Sequence, residues 1–112
     1  MAQQPFYGAP YVKRNDFGTH LFTWYRKEHI LSDTYIEIPF IGFLKTLSIS
    51  KKPGAQNILL KIVEDSREIP EIDISDLDKF QADINYDLYN PIIHIKGSGT
   101  VTVYMDGRYM PS

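Results

Sequence analysis

The sequence predicts an all-β chain: a single antiparallel β-sandwich or jelly-roll-like domain carrying an irregular N-terminal arm. Three observations predict it. From His20 onward apolar residues recur with a period of two, the signature of half-buried strands. Turn-forming residues separate the apolar runs at short intervals. No stretch carries a sustained 3.6-residue pattern that would make a helix of ordinary length.

Residues 1–18 form the arm and 19–112 the domain. Pro5, Gly8 and Pro10 oppose regular structure, yet Phe6, Tyr7, Tyr11 and Phe17 bring large rings. Rings gain nothing by lying in water, so the arm is expected to dock, on its own body or on a neighbour. Leu21–Arg26 and Tyr35–Phe40 are β-branched or aromatic runs. Leu44–Ser50 follows Gly42, expected at a bulge or bend. Lys52-Pro53-Gly54-Ala55 reads as a type II turn, with Pro second and Gly third. Ile58, Leu60 and Ile62 alternate with Leu59, Lys61 and Val63, so both faces of that strand are expected to be covered. Ile69–Ile74 is a further strand, and Ser75–Lys79 one helical turn capped by Ser75. Phe80, Ala82, Ile84, Tyr86 and Leu88 alternate without interruption with Gln81, Asp83, Asn85 and Asp87. Ile92–Ile95 and Thr100–Met105 are expected to pair through a Ser98-Gly99 hairpin loop, and Asp106-Gly107 to make another. Ile84, Tyr86, Val101, Val103, Leu60 and Ile62 are assigned to one interior, and Trp24 to core packing.

The composition narrows function. The 112 residues carry 12 Lys+Arg against 14 Asp+Glu, a net charge of −2, which argues against a nucleic-acid binder. With 43% hydrophobic residues the chain is too apolar for disorder. It has no cysteine, which removes disulfides and Cys-ligated metal. The most apolar uncharged stretch, Ile38–Leu44, is far below the roughly 20 residues of a spanning helix, and Met1–Pro5 does not resemble a secretory signal; no membrane partner is expected. Charge is split along the chain. Residues 64–87 hold nine acids against Arg67 and Lys79, or −7; residues 1–52 hold seven bases against four acids, or +3. Such halves can complement copies of the same chain; the plainer explanation of the acidic segment is a solvated face.

Motifs of known chemistry are sparse. His20, His29 and His94 match no zinc spacing. Asp73, Asp76 and Asp78 are close in sequence but lack the calcium-loop register. Gly97-Ser98-Gly99 is neither a nucleophile elbow nor a phosphate loop. The tyrosines suit sugar stacking or, equally, protein contacts.

The closing segment Ile92-Ile93-His94-Ile95-Lys96-Gly97-Ser98-Gly99-Thr100-Val101-Thr102-Val103-Tyr104-Met105-Asp106 resembles the final hairpin of small tailed-bacteriophage virion β-sandwiches. Tyr35–Phe40 and the Pro/aromatic arm add to that likeness. The resemblance implies a structural subunit of the particle, as a head decoration, neck or tail component, with no catalytic residues. The expectation is therefore a non-enzymatic subunit needing no cofactor or metal. It would be made in the host cytoplasm, resident in the virion, and bound to other virion proteins or to copies of itself through Phe6, Tyr7 and Tyr11. The alternative is a carbohydrate-binding or receptor-binding module.

Overall fold

A computed structural model describes residues 11–14, 21–65 and 67–109 of the chain. All regular structure among them is strand. The elements are β1 (Tyr11–Arg14), β2 (Leu21–Leu31), β3 (Ile36–Pro39), β4 (Phe43–Lys51), β5 (Gln56–Glu64), β6 (Arg67–Asp73), β7 (Lys79–Tyr89) and β8 (Ile92–Tyr109). Every pairing is antiparallel, and the whole forms one curled sheet.

The curl is organised by β8, 18 residues long. Its first part, Ile92–Ser98, lies between β3 and β5, with β6 beyond β5. Its second part, Gly99–Tyr109, lies between β2 and β4, with β1 beyond β2 and β7 beyond β4. One strand therefore belongs to two wings, and the inner faces of both wings meet in one core. Ile93 and Ile95 enter it from one end of β8, and Val101, Val103 and Met105 from the other, all at 0% exposure. Leu47 and Ile49 of β4, Ile58 and Leu60 of β5, and Phe40 and Ile74 complete it.

The period-two reading placed most of these strands, and its misses have local causes. The expected Ser98-Gly99 hairpin and Asp106-Gly107 turn do not form, since β8 runs unbroken through both. Gly99 has φ +100°, and a Cβ there would lie 2.6 Å from the Cα of Ala55. It serves the bend between wings, where a side chain would be both strained and blocked. At Gly107 a Cβ would lie 2.0 Å from the Phe43 carbonyl oxygen, so this glycine permits close approach of β4 rather than a turn.

In β7 the register with β4 breaks, although exposed and more buried residues still alternate along the strand. Leu44 pairs with Leu88 but Thr46 with Asp83, so four residues of β7 oppose Lys45 alone. Asn85 and Tyr86 take φ of 53° and 67°. This bulge takes Tyr86 out of the expected interior. Its ring instead lies 4.5 Å from the Arg108 guanidinium and 5.5 Å from the Lys45 ammonium. Ile84 is only partly buried. Trp24 is likewise half-buried; its neighbour Tyr25, at 6% exposure, takes the inward position on β2.

The 75–79 segment is a turn, not a helical one: Leu77 N–H donates to Ile74 O. Asp73 accepts the Ser75 amide, and the Ser75 hydroxyl accepts the Ile58 amide. The Lys52–Ala55 turn forms as expected, with Ala55 N–H on Lys52 O and Gly54 at φ +93°. Within the arm, Tyr11–Arg14 is not irregular but pairs with Leu21–Trp24.

Candidate functional site

The two wings end in open edges that face one another. β6 pairs only with β5, and β7 only with β4, among the described residues. Between them lies a cleft of about 370 Å³ lined by Ile62, Ile69, Ile84 and Leu88, with Glu64, Arg67, Asp83 and Asp87 also on its wall. The apolar group follows from strand alternation: Ile62 and Ile69 oppose each other across β5 and β6, and Ile84 begins the β7 bulge while Leu88 follows it.

The polar groups form a latch across the cleft. Arg67 donates to Glu64 through Nε at 2.9 Å and to the Asp87 carbonyl at 2.8 Å, with the Asp87 carboxylate 3.5 Å away. The other Glu64 oxygen accepts the Tyr89 amide at 2.6 Å. Glu64 and Arg67 thus tie the hairpin of β5 and β6 to the end of β7. The Tyr89 amide, and then Arg67, hold the Glu64 carboxyl below its ordinary range, because both favour the ionised form. Its side chain is only 14% exposed.

The acids of the 64–87 segment are spread along both edges. Asp83 faces Lys45 at 3.5 Å, and Glu68 faces Lys61 at 3.4 Å. Glu71 accepts the Tyr35 hydroxyl; that bond, and then burial, push the phenol up to about 12. Tyr35 lies under the ammonium groups of Lys96 and Lys61, 4.7 and 5.1 Å from its ring, and beside His94. Carboxylates on edge strands oppose indiscriminate strand pairing, which gives these acids a structural use.

Of the sequence-predicted partner residues, Phe6 and Tyr7 lie outside the described residues, and Tyr11 enters as the first residue of β1, opposite Trp24. His20 also lies outside them. Among the described residues no group of three His, Asp or Glu side chains could hold a metal ion. His29 meets the Tyr25 hydroxyl at 2.7 Å, and burial, then Lys27, lowers its pKa. No helix of the described residues is long and apolar enough to cross a membrane.

Sequence reasoning did not find the cleft, because it brings together residues far apart in the chain. The available signal was Glu64-x-x-Arg67: one of only two bases in an acidic run, placed to face an acid across a tight turn. No protein-family model, characterised protein or solved structure matches this chain.

Proposed function

We propose that this protein is a non-enzymatic assembly subunit that works through protein–protein contacts, its wings acting as the layers of a β-sandwich. The setting suggested by the closing segment's likeness is a tailed-phage virion, as head decoration, neck or tail component. One observation carries the assembly reading: two strand edges without a further strand neighbour among the described residues flank an apolar cleft rimmed by carboxylates. The occupant is the arm of a neighbouring copy. Residues 1–10 contain Phe6 and Tyr7 for the apolar floor and no acid at all, while Tyr11 is held in β1 and Lys13 and Arg14 of β1 stand at the root of the arm to meet the rim. Ten residues ahead of β1 span up to roughly 33–36 Å when extended, enough to leave one domain and enter the next. Each ring buried there contributes on the order of 1.5–3 kcal/mol before ordering losses.

The test is sedimentation velocity of the full chain and of a variant lacking residues 1–10, which retains β1. The full chain is expected to associate, and to do so less at 1 M than at 0.1 M salt, as the screening length falls from about 10 Å to about 3 Å. The shortened variant is expected to keep its melting temperature and remain monomeric. A full chain monomeric at every concentration, or a shortened chain that associates equally well, contradicts the reading.

A further inference from the structure

The outer face of the wing formed by β2, β8, β4 and β7 carries a second depression, which shares no lining residue with the cleft. Strand register places Arg26, Tyr104, Ser48 and Gln81 in one row across the four strands, and Glu28, Thr102, Ser50 and Lys79 in the next. Arg26, Ser48, Ser50, Lys79, Thr102 and Tyr104 line a shallow pocket of about 350 Å³. We infer that this pocket binds a carboxylate-bearing saccharide.

Two features point to an anion. Arg26 and Lys79 stand at opposite corners of the patch, roughly 14 Å apart along three strand spacings, and neither has an ion pair among the described residues. The nearby carboxylates are already engaged: Glu28 meets Lys52 at 2.7 Å, and Asp106 accepts the Tyr104 hydroxyl at 2.6 Å. Burial, then Asp106, pushes the Tyr104 phenol up to about 12, so it remains neutral and adds no competing charge.

Two further features select a sugar over a bare oxyanion. Ser48 is only 8% exposed, yet its hydroxyl has no hydrogen-bond partner among the described residues, and it lines the pocket. A buried hydroxyl without a partner is costly, and a ligand that supplies one removes that cost. The Ser50 and Thr102 hydroxyls are also without side-chain partners there. Hydroxyls both donate and accept. Their natural complement is a polyol, whose several hydroxyls do the same, whereas an ionised carboxylate alone only accepts. Tyr104 adds an aromatic surface against which a pyranose ring can pack.

The test is calorimetric titration of the full chain at low salt with four probes: trigalacturonate, the neutral galactose trimer, inorganic phosphate and hexaglutamate. Trigalacturonate is expected to bind saturably, at least tenfold more tightly than each of the other three. Arg26→Gln and Lys79→Gln, both exposed, are each expected to weaken it about fivefold with unchanged melting temperatures. Ser48→Ala is expected to weaken it without lowering the melting temperature, which separates a ligand contact from a packing role. The inference is overturned by absence of saturable trigalacturonate binding, or by affinity unchanged in both charge variants. Equal binding of the neutral trimer, of phosphate or of hexaglutamate overturns it too, the last two showing a generic anion patch. None of these outcomes depends on the arm or the cleft.

Discussion

β8 and the two edges at the cleft are all strands of one sheet, yet they differ in what lies beside them and in the charge they carry. β8 has a neighbour on each side along nearly its whole length, and its inward side chains are fully buried. β6 and β7 have one strand neighbour each among the described residues, only partly buried isoleucines, and a fringe of acids. The difference teaches where the fold is fixed and where it remains available. Removing β8 contacts should undo both wings at once; altering the edges should change association while sparing the fold.

The largest expected effect is at the centre. Ile95→Ala should cost about 2–5 kcal/mol in a denaturant melt, because the cavity lies where both wings meet. Gly107→Ala comes next, at about 1–3 kcal/mol, since the added methyl forces β4 and β8 apart. Ile84→Ala, on the cleft wall, should cost only about 1 kcal/mol, its side chain being partly solvated already. Should Ile84→Ala match Ile95→Ala, the contrast between centre and edge fails.

That gradient also shows what was legible beforehand. Alternation identified Leu60, Ile62, Val101 and Val103 as core because local pattern and burial agree there. It failed at Tyr86 because a bulge carries that one side chain out to Arg108 and Lys45 while Phe80, Ile84 and Leu88 stay on the inner face, with no glycine or proline to announce it. It failed at Gly107 because a glycine needed for close approach looks, in sequence, like one needed for a turn. The cleft was invisible for a further reason: Glu64, Arg67 and Asp87 meet only after the sheet has curled.

Acid should separate two smaller contributions. His29 is held below its ordinary pKa of 6.5, so the unfolded chain binds the extra proton first. Its contribution is therefore present above about pH 6.5 and lost as pH falls through the folded value. His29→Gln should flatten the melting temperature across pH 7 to 5. Glu64 acts in a lower window. Its folded pKa lies below the ordinary 4.5, so the latch is intact above about 4.5 and lost as pH falls through the depressed value. Glu64→Gln should remove that step and leave the His29 step in place.

Amide hydrogen exchange, followed residue by residue in dilute and in associated protein, tests the central claim most directly. Association should slow exchange in β6, Arg67–Asp73, and in β7, Lys79–Tyr89, while Val101–Met105 of β8 stays at the slow rate of global unfolding in both states. Protection that appears elsewhere and leaves β6 and β7 unchanged would contradict the claim that the edges of the cleft are where this protein meets its neighbour.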